Sequence, residues 1–233
     1  MPRIFLDTNV LLGLYDADAD PRCICADLRK VRSSLVATRV VLDELLRNRD
    51  RILFRNAARI EEGGVSLLQT PFFLQQTQAF SSMKETADAY NLAVASLLDE
   101  VHRMMADPAH DPVYSAISRL FEDLPLFEWT DGDVERAHRR KLIGNPPTSQ
   151  GKNTLGDELN WELLLRHVRD DLILVSRDNT FRQHAAFLAK EFREKTGRRI
   201  RITDRLSDAL TELGEEPSEA LLAFEEGWKK RPP

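Results

Sequence analysis

The chain has 233 residues, 42% of them hydrophobic and 30% charged, and its 33 Lys plus Arg against 38 Asp plus Glu give a formal net charge of −5. That length allows one large or two small domains with a buried core, and the acidic balance excludes a histone-like polycation while leaving local basic patches open. No apolar run approaches the about 18 residues of a membrane helix, the Met1-Pro2-Arg3-Ile4 start does not fit a secretory apolar region, and Cys23 and Cys25 have neither zinc-site nor redox spacing, so a cytoplasmic protein with no membrane partner and no disulfide framework is expected.

Ile4-Phe5-Leu6-Asp7 opens with a short apolar run without alternation, the pattern of a strand buried on both faces of a parallel sheet. Asn9 to Tyr15 and Cys23 to Ser33 read as helices. Leu35-Val36-Ala37 is a second apolar run, and Thr38 is suited to cap a helix from Arg39 to Asn48, with Val41, Leu42, Leu45 and Leu46 at helical spacing. A further helix is expected from Arg51 to Glu62, then a long one from Phe73 to Asp107, which has no internal Gly or Pro. Val113 to Asp123 is helical, Phe127 to Trp129 a short strand, and Thr130 caps a helix through Arg140. Residues 144–151 cluster Gly, Asn, tandem Pro and Ser and form a loop. A helix from Thr154 to about Val168 precedes Leu172-Ile173-Leu174-Val175-Ser176, the clearest second buried strand. Phe181 to Lys195 reads as a helix, Arg199 to Thr203 alternates like a strand near a sheet edge, and Ser207 to Leu213 is a last helix. Strands alternating with helices at both ends, around a mainly helical middle, predict an α/β fold of three layers with a central parallel sheet and a helical insertion. The tail from 214 to 233 need not belong to the core.

Two acids, Asp7 and Asp178, stand at the carboxyl ends of the two strongest strands, where open α/β sheets bind their ligands. Glu44 lies in the first half of the helix after the Leu35 run, beside its core-facing stripe, and Asp157 lies in the first turn of another helix. If the sheet is parallel, all four emerge on one rim. Taken singly, Asp7, Asp157 and Asp178 have ordinary explanations as helix caps, turn residues or complements to a helix dipole. Together, four acids in a dry site would repel one another unless a cation neutralised them, and hard oxygen donors without Cys or His point to Mg²⁺ or Mn²⁺.

The string Phe5-Leu6-Asp7-Thr8-Asn9-Val10-Leu11-Leu12 resembles the opening of PIN-domain nucleases. Thr38 to Leu45 is similar to that family's second acidic segment, with Glu44 as its acid. Gly156-Asp157-Glu158-Leu159-Asn160-Trp161-Glu162 resembles the third, and Ser176-Arg177-Asp178-Asn179-Thr180-Phe181 the closing one. The resemblance covers roughly residues 1–60 and 140–210. It implies a single PIN-like nuclease domain over 1–213, with residues of about 64–140 as the helical insertion of the larger prokaryotic branch; the Asn145-Pro146-Pro147 loop and Lys152 are also features of that branch. It further implies a metal-dependent endoribonuclease that leaves 5′-phosphate and 3′-hydroxyl ends. Asp7, Glu44, Asp157 and Asp178 would be both the catalytic and the metal-holding acids, with Asn9 and Ser176 orienting them or the water. Glu162 is a reserve candidate, although five residues past Asp157 it is turned by roughly 140° on an ideal helix. Glu158 and Asp43 read as solvated neighbours.

An acidic protein needs local cations to hold a phosphate backbone. Arg177, Lys152, Arg47 and Arg140 are the candidates, each weighed against a solvated helix face. Trp161 and Trp129 could stack bases, Trp161 being better suited to a core. Scattered histidines and the absence of a Gly-rich phosphate loop disfavour histidine-based or nucleotide-driven chemistry. An aspartyl-nucleophile phosphatase is disfavoured because position 9 is Asn. A structure-specific DNA nuclease, the toxin of a toxin–antitoxin pair with an antitoxin-like partner, and a catalytically inert PIN-like binding module stay open, as does a homodimer.

Overall fold

The sheet forms where apolar side chains run without interruption. In the computed structural model, which describes residues 1–17, 20–67, 69–148 and 154–230, β1 (Arg3–Leu6), β2 (Leu35–Thr38), β3 (Leu126–Phe127), β4 (Leu172–Val175) and β5 (Ile200–Thr203) pair in parallel in the order β3-β2-β1-β4-β5. The twelve helices of the described residues are α1 (Thr8–Leu12), α2 (Pro21–Lys30), α3 (Arg39–Glu62), α4 (Phe72–Gln75), α5 (Gln78–Ala106), α6 (Pro112–Phe121), α7 (Asp131–Leu142), α8 (Gly156–His167), α9 (Asn179–Gln183), α10 (Ala185–Thr196), α11 (Leu206–Glu212) and α12 (Glu219–Lys230). This is the three-layer α/β fold with a parallel sheet that the alternation predicts. None of these helices is long and apolar enough to cross a membrane.

Strand order sets the functional rim. From β1 the chain steps outward to β2 and β3, then returns to the other side of β1 as β4 and continues to β5. The order therefore reverses between β1 and β4, and the crevice outside their carboxyl ends is the preferred ligand position of such sheets. Register pairs Leu6 with Val175, and the Asp7 amide donates to the Val175 carbonyl at 3.0 Å, so Asp7 and Ser176 leave the sheet side by side. The Arg-Ile-Arg-Ile-Thr alternation correctly marks β5 as an edge strand.

Several helix boundaries differ from expectation. Residues 39–62 form one helix rather than two, because the charged run across 47–51 contains neither Gly nor Pro and so nothing terminates it. The long stretch from 73 breaks instead at Gln76-Thr77, where Thr77 caps α5 by accepting from the Phe80 amide at 3.2 Å. The helix expected over 181–195 is two, α9 and α10, separated at His184.

The described residues form two compact units. The first draws on Met1–Asn48 and Ala116–Pro233 and contains every strand; the second, Arg49–Ser115, is helical. Its bounds fall earlier than the 64–140 expected for an insertion, because the second half of α3 belongs with it. Within it the fully buried Arg49 donates from Nε to Asp111 Oδ2 at 2.8 Å. The tail is not peripheral: α12 packs on α2 and α11, burying Leu221 and Phe224. The buried Glu225 carboxylate of α12 accepts from the Ser207 amide at 2.9 Å and the Ser207 hydroxyl at 2.6 Å.

Candidate active site

Asp7 leaves β1 and caps α1, with Oδ1 accepting from the Thr8 amide at 2.8 Å. Its other oxygen, Oδ2, accepts from Ser176 Oγ at 2.5 Å and from Asn9 Nδ2 at 2.6 Å. Ser176 is fully buried at the end of β4, and its hydroxyl also accepts from the Asp178 amide at 3.0 Å. Asn9 closes the arrangement: its Oδ1 accepts from the Arg177 amide at 3.0 Å. The two residues expected to orient the acids thus lie against Asp7, and the β1 and β4 ends are tied together by side chains.

The charge environment of Asp7 is unusual. Burial, the Asp157 carboxylate and the Glu44 carboxylate all disfavour its ionisation, and the hydrogen bonds from Ser176 and Thr8 only partly oppose them, so its pKa is pushed up to about 7. Two of the other candidate acids, from α3 and α8, therefore act on Asp7. Glu44 is anchored by Thr8, whose hydroxyl donates to Oε2 at 2.9 Å. The start of α8 comes close to the same oxygen: a methyl group on Gly156 would lie 3.7 Å from Glu44 Oε2.

Asp178 is placed differently. It caps α9, accepting from the Thr180 amide at 2.8 Å, and its own amide is joined to Asp7 through the Ser176 hydroxyl. As the side chains stand, no three Asp, Glu, His or Cys groups among the described residues are arranged to hold a metal ion. The acids gather at one rim but their carboxylates do not converge on a point.

A family model described as PIN domain matches residues 4–181. The chain belongs to the PIN-domain family. No curated protein and no solved structure matches it. The matched region of this PIN domain runs from β1 into α9 and so includes all four acids. PIN domains are generally nucleases and typically use divalent metals, which supports a hydrolase role with nucleic acid as substrate. The donor set of this PIN domain suits such an ion. Asp7, Glu44 and Asp157 offer only hard oxygens, and Asp7 Oδ1, which accepts from Thr8, retains capacity for one more bond.

Three other expectations are corrected. Glu162 does not join the rim: it is buried against Arg140, whose Nε donates to Oε1 at 2.8 Å, as its turn away from Asp157 on the helix requires. Arg140 is not available to nucleic acid, because it is buried and also donates to both oxygens of Glu191, at 2.9 and 2.6 Å. Glu158 is buried rather than solvated, with Lys141 Nζ at 3.8 Å. Trp161 is wholly buried and donates to Glu191 Oε2 at 2.8 Å, whereas Trp129 is exposed. Arg47 is exposed, and Lys152 lies outside the described residues. Partial burial lowers the Arg177 pKa from its ordinary value, against Asp16 and Asp204, which favour its charge.

Sequence reasoning missed a pair that bears on the rim. The buried Thr38 hydroxyl donates to Asn160 Oδ1 at 2.5 Å and accepts from the Val41 amide at 3.2 Å. One side chain thereby caps the helix carrying Glu44 and fastens it to the helix carrying Asp157. Asn160 is three residues after Asp157, a polar side chain among apolar ones, and that spacing was the available signal.

Proposed function

We propose that this PIN domain is a divalent-metal-dependent endoribonuclease, with Asp7, Glu44, Asp157 and Asp178 as the acids of its metal centre. The observation that carries the reading is the buried Asp7 carboxylate, set at the reversal point of the sheet beside two further carboxylates. Such repulsion is costly without a cation, so an arrangement of this kind suits one that recruits its counter-charge from solution. Mg²⁺ or Mn²⁺ held there would lower the pKa of a bound water and offset charge on the departing oxygen.

The chain's own groups have separate tasks. Ser176 and Asn9 hold Asp7 Oδ2 and so fix the direction in which Oδ1 faces. Thr8 holds Glu44, while Thr38 and Asn160 keep α3 and α8 in register. Arg177, whose amide is held by Asn9, is the first candidate to grip a substrate phosphate, with Arg47 as a second. RNA as the substrate follows the family resemblance. The test is incubation of the purified chain with labelled RNA and the matching DNA, with Mn²⁺ or with EDTA. Cleavage of RNA that stops in EDTA and in both Asp7→Asn and Asp157→Asn supports the reading. RNA left intact by the Mn²⁺-loaded wild type, or cut equally by both variants, contradicts it.

A further inference from the structure

A second cavity, apart from the carboxylate rim, lies among α7, α8 and α10. Its volume of about 590 Å³ is within the range of small-ligand sites. Five cationic side chains line it, Arg136, Arg139, Arg140, Arg166 and Lys195, against two carboxylates, Glu162 and Glu191. In a chain of net charge −5 that is a local reversal of sign.

The charges divide into two groups. Arg140 is fully employed, clamped between Glu162 and Glu191, and it forms a rigid wall. Arg136 and Arg166 both pair with the buried Asp133; Arg166 is otherwise taken up by the Glu128 carbonyl at 2.7 Å, the Thr130 hydroxyl at 3.1 Å and His167 Nε2 at 2.8 Å, whereas Arg136 has only a longer further contact, to Glu162 at 3.5 Å. Arg139 and Lys195 are exposed and pair with no carboxylate among the described residues. Both occupy the last turn of a helix, where carbonyl ends favour cations whatever their use. That accounts for the residue type, not for two such groups facing one cavity with Arg136, which shares its carboxylate with Arg166. Ile143 and Leu165 give the lining an apolar flank. The guanidiniums of Arg139 and Arg136, with the Lys195 ammonium, match the oxygens of a phosphate, and the apolar flank suits the carbon body attached to it.

We propose that this cavity is a phosphate-binding site, separate from the carboxylate rim, that takes the phosphate of a free nucleotide or of a nucleic-acid backbone. Calorimetric titrations of the full chain in EDTA at low salt would use three probes: inorganic pyrophosphate, adenosine 5′-monophosphate and a short single-stranded RNA. The site predicts saturable binding of at least one probe. Arg139→Ala combined with Lys195→Ala, two exposed positions whose loss leaves the fold intact, should weaken it by roughly tenfold or more, and Asp7→Asn should leave it unchanged. Binding of pyrophosphate or the monophosphate identifies a free phosphorylated ligand; binding of RNA alone identifies the backbone. Failure of every probe to bind, or equal binding by the double variant, overturns the proposal.

Discussion

Two clusters of acids flank the same helix and meet opposite electrostatic fates. At the start of α8, Asp157 acts on Asp7, as does Glu44, and the result is a carboxyl whose charge is disfavoured. Farther along α8, Glu162 meets Arg140, which also grips Glu191 from α10, and the charges are compensated in place. Burial opposes the Arg140 charge, yet its bonds to Glu191 and Glu162 outweigh that and hold the guanidinium above its ordinary pKa. Buried acids that carry their own counter-ions are structural. Buried acids that repel one another suit a site that waits for a cation.

The contrast can be broken at either end. The largest effect is expected from Asp7→Asn, which should lower Mn²⁺-dependent RNA cleavage by about a thousandfold or more, the scale of several kcal/mol of transition-state stabilisation; single-turnover assays of the purified variant measure it. At the compensated end, Arg140→Ala should leave Glu191 without its counter-charge and Glu162 with only the longer Arg136 contact, and cost roughly 3 kcal/mol in urea unfolding. Exposed Arg47→Ala should change stability by less than about 0.5 kcal/mol.

Metal-free protein offers a pH test of the same contrast. The unfolded chain releases the Asp7 proton near its ordinary pKa of 3.8, whereas the folded chain keeps it up to about pH 7. Between those values the folded state binds more protons, so the Asp7 contribution to stability falls as pH rises through that window and is flat above it. The loss is on the order of 4 kcal/mol. Urea unfolding in EDTA should show this decline in the wild type and its absence in Asp7→Asn, which at pH 8 should be the more stable protein. A further effect concerns the substrate grip: Arg177→Ala should weaken RNA binding across sequences and reduce the slope of log affinity against log salt by about 1. Binding isotherms at several salt concentrations measure that slope.

The central sheet was legible because strands buried on both faces leave a plain trace. Ile4-Phe5-Leu6 and Leu172 to Val175 are unbroken apolar runs, and each is followed within three residues by a candidate acid. Asn9 and Ser176, which flank those strand ends, were legible only through the family resemblance. What stayed hidden depends on partners distant in the chain. Nothing near Arg140 shows that Glu191, 51 residues on, will neutralise it. The tail shows acidic and basic runs, but not that the Glu225 carboxylate will be buried on Ser207. The continuity of α3 was hidden by charge: a polar run suggests an interruption, whereas a helix with no Gly or Pro continues.

The most direct measurement is a calorimetric titration of Mn²⁺ into the metal-free wild-type chain near pH 7, repeated with Asp7→Asn and Arg140→Met. Saturable binding to the wild type that releases protons, is lost in Asp7→Asn and survives in folded Arg140→Met is the predicted result. Absence of binding to the wild type, or equal binding by Asp7→Asn, would contradict a rim of mutually repelling carboxylates that holds a divalent ion.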